Sequence, residues 1–146
     1  MKLWIPLYLM IWIVFVEFLL VMTPALNRDL LDLHVFLGIF IVCLAFYIFN
    51  RLRLTSVPGR VKRIARATCG ITVIAGILGV LLYSNIGTGS ALFFGATVWD
   101  VIFFLHEVAA FAIITQSAAV AIAHDMWEDK EFKEESVPGK VPSVNT

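Results

Sequence analysis

Four long apolar stretches, separated by short polar segments, make up most of the chain. They cover residues 3–22, 31–49, 65–83 and 98–123. A membrane-spanning helix needs about 20 mostly apolar residues, and each stretch approaches or exceeds this length. The pattern therefore predicts an all-α, integral-membrane four-helix bundle in a single domain over residues 1–124, with a short tail over residues 125–146.

The composition supports this interpretation. Hydrophobic residues make up 60% of the 146 residues and charged residues 15%, whereas soluble domains carry roughly 45–50% and about 25%. These values exclude a water-soluble enzyme. The formal net charge is zero, so nucleic acid is not an expected partner. We expect the chain to lie in a lipid bilayer and to contact other membrane subunits, because the segments outside the four stretches are short and leave no room for a second domain.

Basic residues predict the orientation of the bundle. The segment between the second and third stretches holds Arg51, Arg53, Arg60, Lys62, Arg63 and Arg66. In contrast, the segment over residues 84–97 has no basic residue. Cytoplasmic loops carry an excess of lysine and arginine. This asymmetry predicts that the basic segment and both termini are cytoplasmic, with the bundle in the plasma membrane.

Small and polar residues recur at helical spacing on the last three stretches. The faces they define contain His34, Gly38, Ile41 and Ala45; Ala65, Thr68, Thr72, Ala75, Gly76 and Gly79; and His106, Ala110, Ser117, Ala121 and His124. Helices associate in membranes through close packing of small side chains and through interhelical hydrogen bonds. These three faces are therefore expected to point into the bundle.

Ionisable residues cluster towards the predicted outer leaflet. They are Glu17, Asp32, His34, Asp100, His106 and Glu107. An ionisable side chain at the bilayer centre costs roughly 2.5–3.5 kcal/mol, so such residues are candidates for function. His34 and His106 are expected at similar depths on the second and fourth helices. Two neutral imidazoles facing each other are the ligands of a low-spin haem iron, and Glu17, Glu107, Asp32 and Asp100 are candidate polar or proton-carrying partners.

Two segments resemble a known family. Residues 33–38 read LHVFLG and open an apolar helix that ends in Asn50-Arg51, which resembles the His-x-x-x-Gly helices of small four-helix b-type cytochrome subunits. Residues 70–79, GITVIAGILG, are similar to the glycine-bearing helices beside the haems of that family. The resemblance covers about two of the four stretches. It implies one haem b held by His34 and His106.

Glycines near these histidines fit the same hypothesis, and one position departs from the family. Gly38, Gly76 and Gly79 can leave room for a porphyrin. Many such cytochromes have a second histidine about thirteen residues after the first, and this chain has Tyr47 there. A pair of haems across the membrane is therefore not expected. The chain is predicted to be a small subunit of a redox or respiratory complex that exchanges electrons with a quinol or a partner protein.

Three other interpretations remain open from the sequence. Glu17, Asp32, His34 and His106 can form a site for copper, zinc or iron. The polar residues can instead hold the helices together in a cofactor-free accessory subunit of a larger membrane oxidase or metal monooxygenase. A minimal transporter that uses Glu17 and Glu107 for proton coupling is the third interpretation. No catalytic residue is predicted, because no nucleophile, phosphate loop or dinucleotide motif is found.

Overall fold

The structure is a computed structural model, described for residues 3–22, 27–92 and 95–135 and for side chains as far as residue 130. These residues form four helices: α1 (Trp4–Val21), α2 (Arg28–Arg53), α3 (Gly59–Tyr83) and α4 (Val98–Glu135). Each helix is long and apolar enough to cross a membrane. The all-α architecture with four helices is thus confirmed, and these helices indicate a membrane protein.

Three helices extend beyond the apolar stretches that predicted them. Helix α2 starts at Arg28 because the Asn27 side chain accepts a hydrogen bond from the backbone N–H of Leu30 and so caps the first turn. Helix α3 starts at Gly59, directly after Pro58. Helix α4 has 38 residues, a length of about 57 Å at 1.5 Å per residue. Since the bilayer core is about 30 Å thick, α4 is long enough to project from it; residues 136–146 of the predicted tail lie outside the described residues.

The helices run antiparallel in sequence order around a square. Helix α1 contacts α2 and α4, and α3 contacts the same two helices. Within the described ranges, no Cα atom of α2 comes within 8 Å of α4, nor any of α1 within 8 Å of α3. We call the end that holds Arg51–Arg66 the basic end. The opposite end, where α2 and α4 begin, is the histidine end.

Buried apolar side chains concentrate towards the basic end. The most buried are Leu7, Leu52, Val120 and Ala121. Along α2 the first buried residue is Ile41, and along α3 the last is Ala75. Residues 98–108 at the start of α4 include no buried side chain. At the histidine end the described residues include few buried side chains, among them Glu17, Ala75 and Ala109, so most of the apolar core lies towards the basic end.

The inward-facing residues agree largely with the predicted faces. Buried members are Ile41 and Ala45 of α2, Ala65, Thr68, Thr72 and Ala75 of α3, and Ser117, Ala121 and His124 of α4. The other members are half-buried, except Gly76, which is exposed. Val42 of α2 packs beside Gly76, and its Cγ2 would lie 3.6 Å from a Cβ at this position, an ordinary contact distance. Close packing of small residues therefore joins α2 to α3 as well as α3 to α4.

The connection between α3 and α4 returns the chain to the start of α4. Gly87 adopts φ +86°, and a Cβ at this position would lie 2.8 Å from Cβ of Val98. Only glycine fits such a backbone at such a distance. The backbone N–H of Val98 donates to the carbonyl of Ser90 at 3.0 Å. This turn therefore fixes the start of the helix that carries His106.

Candidate functional site

Four helices contribute polar or small groups to one place at the histidine end. Helix α1 supplies Glu17, α2 supplies His34, α3 supplies the backbone carbonyl of Ala75 and the surface of Gly79, and α4 supplies His106. Helices α2 and α4 lie on a diagonal of the square, so their histidines approach each other across its interior. The structure brings His34 and His106 together at this end of the bundle.

Glu17 and His34 form a close polar contact between α1 and α2. Oε2 of Glu17 lies 2.5 Å from Nδ1 of His34, but it lies off the direction of an in-line hydrogen bond. The glutamate is only 7% exposed, and a buried carboxylate is costly unless it is paired. The pair therefore accounts for a charge-bearing group inside the bundle. It also favours the His34 tautomer that carries its proton on Nδ1.

His106 is held by the backbone of α3. Nδ1 of His106 lies 3.0 Å from the carbonyl oxygen of Ala75. A carbonyl only accepts hydrogen bonds, so Nδ1 is the donor and Nε2 keeps its lone pair in the neutral ring. Gly79 makes this approach possible, because a Cβ there would lie 3.2 Å from Cε1 of His106. The imidazole thus occupies the space that the missing side chain of Gly79 leaves.

The two imidazoles are neighbours. Their centroids are 6.1 Å apart and their planes are inclined by 76°. Two imidazoles on one metal, with metal–nitrogen distances of about 2.0 Å, place their centroids about 6.3 Å apart in a linear arrangement and about 5.1 Å apart at a tetrahedral angle. The observed separation lies between these two values. Both Nδ1 atoms face acceptors, so both Nε2 atoms are the ring nitrogens left for ligation.

The other predicted polar residues lie near this site without joining it. Asp32 accepts a hydrogen bond from the Tyr83 hydroxyl at 3.2 Å. Oδ2 of Asp100 accepts from the backbone N–H and the hydroxyl of Thr97, each at 2.7 Å, and so caps the start of α4. Glu107 shows no hydrogen bond or ion pair within the described part of the chain. Of the four predicted partners, Glu17 is therefore the one that contacts a histidine.

The glycines predicted to border a porphyrin differ in their surroundings. Gly79 lies against the imidazole of His106, and Gly76 of α3 lies against Val42 of α2. A Cβ at Gly38 would meet no atom within 4 Å. The surface of α2 is therefore open at Gly38, one helical turn after His34.

The four residues of the metal hypothesis do not all contact one another, since Glu17 lies beside His34 and Asp32 does not. Within the described residues, the side chains that bring three potential metal ligands within 4.8 Å of one another are His124, Asp125 and Glu128, near the basic end. The carboxylate of Asp32, which the metal hypothesis needs beside His34, instead contacts Tyr83.

Sequence reasoning missed the backbone partner of His106. Every residue has a backbone carbonyl, so the sequence does not show which one accepts a hydrogen bond from His106. That partner is set by how closely α3 and α4 approach each other. The small residues of α3 predict that approach, although not which carbonyl it exposes. Comparison of the chain with models of protein families, with curated proteins and with solved structures finds no match.

Proposed function

We propose that the chain is a small integral-membrane redox subunit that binds one haem b between His34 and His106. The single observation that carries the proposal is the pair of imidazoles from diagonal helices, with centroids 6.1 Å apart and each Nδ1 facing its own acceptor. A b-type haem supplies one-electron chemistry when it is bound. The partners expected for such a subunit are a quinol or another subunit of a respiratory complex.

The residues of this site have separate tasks. Glu17 orients His34, because its carboxylate lies beside Nδ1 of the ring and leaves Nε2 for ligation. The carbonyl of Ala75 orients His106 without adding a charge. The two ligands are therefore electronically different. Gly79 fixes the position of His106 against α3, and the open surface at Gly38 leaves space beside His34.

The packing of the histidine end supports a bulky ligand there. Few described side chains of this end are buried, among them Glu17, Ala75 and Ala109, whereas the same helices are tightly packed towards the basic end. A flat apolar group bound between the helices would cover side chains that are exposed at that depth. A haem would supply the missing apolar contacts, as the hydrophobic effect and dispersion require.

The position of the site relative to the membrane follows from the charge distribution. The basic end holds Arg51, Arg53, Arg60, Lys62, Arg63 and Arg66, and the positive-inside rule assigns such a loop to the cytoplasm. In this orientation both termini are cytoplasmic and the histidines lie towards the outer face of the plasma membrane. The subunit then exchanges electrons near that outer face.

A visible spectrum of the purified, dithionite-reduced protein tests the proposal. We expect a sharp α band and one haem per chain by pyridine haemochrome analysis. His34→Ala and His106→Ala should each abolish the band, because each removes one axial ligand. His124→Gln is the matched control, since it changes the remaining histidine of the chain and should leave the band intact.

Two outcomes would overturn the proposal. A folded, monodisperse protein without a reduced α band, expressed with adequate haem supply, would favour the cofactor-free accessory subunit. A band that survives both histidine substitutions would mean that the haem belongs elsewhere. Circular dichroism of each variant shows whether a lost band reflects lost ligation or lost folding.

A further inference from the structure

The third histidine of the chain, His124, lies in a separate polar cluster near the basic end. Its side chain is 2% exposed, and its Nδ1 has no hydrogen-bond partner among the described residues. This nitrogen lies 3.9 Å from Oδ1 of Asp125 and 3.9 Å from Oε2 of Glu128. Such distances are too long for hydrogen bonds. A buried imidazole nitrogen therefore faces two carboxylates and bonds to neither.

Helical spacing creates this arrangement. Glu128 follows His124 by four residues and lies on the same face of α4, and Asp125 is the adjacent residue. The three potential ligand atoms lie within 4.8 Å of one another. The carboxylate side chains are 41% and 37% exposed, so the cluster opens to the surroundings of the bundle. An ion has a path to the buried imidazole from that side.

Contacts with α1 and within α4 hold two members of the cluster in place. The Tyr8 hydroxyl donates to Oδ2 of Asp125 at 2.6 Å, which leaves Oδ1 directed towards His124. The indole of Trp127 lies against the imidazole, with ring centroids 5.9 Å apart. Metal ligands are commonly oriented by such neighbouring hydrogen bonds. The imidazole and one carboxylate are thus already positioned.

We propose that His124, Asp125 and Glu128 bind a divalent first-row metal ion such as Zn²⁺. Ligand atoms around such an ion lie about 3.0–3.6 Å apart, at metal–ligand distances of about 2.0–2.2 Å. The observed 3.9 Å separations reach this range if the exposed carboxylates move inwards by less than about 1 Å. One imidazole and two carboxylates suit zinc, iron or manganese, and the two negative charges balance the dication. A metal ion bound to Asp125 would link this part of α4 to the start of α1, because the Tyr8 hydroxyl of α1 donates to the same carboxylate.

This site is distinct from the one at the histidine end. His124 follows His106 by a stretch of α4 that spans about 27 Å at 1.5 Å per residue. No residue is shared between the two clusters. Metal binding at His124 therefore holds or fails independently of the haem proposal.

Zinc titration of the full-length protein tests the inference. The purified protein is treated with EDTA, dialysed in detergent and titrated with Zn²⁺, with Co²⁺ absorption as a report of coordination by nitrogen and oxygen. We expect one tight Zn²⁺ per chain. Asp125→Asn and Glu128→Gln should each lower the affinity at least tenfold, because each removes a charged ligand on the exposed side without opening a cavity.

Asp129→Asn is the matched control for these variants. It makes the same change of charge one residue after Glu128, outside the three-residue cluster, and should alter the affinity less than twofold. The inference fails if the wild-type protein binds no stoichiometric Zn²⁺, or if neither carboxylate variant weakens binding more than this control. It also fails if binding is lost on His34→Ala and retained in Glu128→Gln, because the histidine end would then hold the ion. His124→Gln adds a test of the buried ligand, with circular dichroism as its check on folding.

Discussion

The two ends of the bundle differ in what joins the helices. At the basic end, apolar side chains from different helices pack closely, and Leu7, Leu52 and Val120 are almost fully buried. At the histidine end, the helices meet through the polar contact of Glu17 with His34 and the contact of His106 with the carbonyl of Ala75. The same four helices therefore carry a closely packed region and a polar site at different levels of the bundle.

This division has a physical reason. Lipid gives little advantage to apolar contacts between helices, so complementary packing must hold the bundle together. Polar groups inside a membrane are costly and must be paired. A bundle that concentrates close packing at one end can leave the other end more open around a paired polar site. Substitutions at the two ends are thus expected to affect different measurements.

The largest effect is expected from Leu52→Ala at the basic end. Leu52 is 0% exposed, and truncating a buried leucine typically costs about 2–4 kcal/mol through lost contacts and the cavity that remains. Unfolding in mixed micelles measures this loss, and the visible spectrum should not change. Leu54→Ala is the control, because Leu54 is 82% exposed and the same truncation should have little effect. Equal losses for both variants would contradict the packed basic end.

Gly79→Ala should disturb the histidine end instead. The new methyl would lie 3.2 Å from Cε1 of His106, so the ring must shift by a few tenths of an ångström. Overpacking of this kind costs about 1–3 kcal/mol, and we expect a lowered haem content or a displaced α band. Gly76→Ala makes the same change where the nearest atom is 3.6 Å away. It should leave the spectrum unchanged. An identical spectral response in both variants would contradict the prediction that the contact with Gly79 positions His106.

Glu17→Gln tests the asymmetry between the two imidazoles. The amide keeps the shape of the side chain and removes its charge, so about 1 kcal/mol of stability should be lost. Loss of the carboxylate also makes His34 a weaker electron donor, which should raise the haem reduction potential by tens of millivolts. Redox potentiometry measures the shift. Glu107→Gln removes the same charge from α4 next to His106, and a shift as large as that of Glu17→Gln would refute the orienting role of Glu17.

The sequence predicts the four helices, and it predicts that His34 and His106 lie at the same end of the bundle. Both predictions depend on local patterns. Apolar length identifies each helix, and the antiparallel order places the start of α2 at the same end of the bundle as the start of α4. His34 and His106 therefore fall at one end without knowledge of any contact. The Thr97–Asp100 spacing is also a readable signal, because Thr-x-x-Asp before an apolar run resembles a capping box. Asp100 could thus have been assigned to helix capping from the sequence.

Partners that depend on helix rotation could not be predicted. Helix α1 is apolar on every side apart from Glu17, so its sequence does not fix which neighbour the glutamate faces. The structure turns it towards His34. The cluster at His124 had a sequence signal, namely His-Asp-x-x-Glu at helical spacing, but the acidic residues that follow also fit a solvated helix end. Burial of His124 distinguishes the two, and burial is a property of the packed bundle.

The smallest predicted effect lies between the two ends, where one polar contact crosses from α3 to α4. The Thr68 hydroxyl and Oε1 of Gln116 are 3.0 Å apart, and the same hydroxyl lies 2.9 Å from the carbonyl of Ile64. Thr68→Val keeps the volume and removes this interhelical partner, and such contacts in membranes average about 0.6 kcal/mol. Thr115→Val is the control, because its hydroxyl bonds within α4, to the carbonyl of Phe111, and its loss should not change stability measurably. A cost for Thr68→Val that approaches the Leu52→Ala value would mean that polar bonding, rather than close packing, holds the middle of the bundle together.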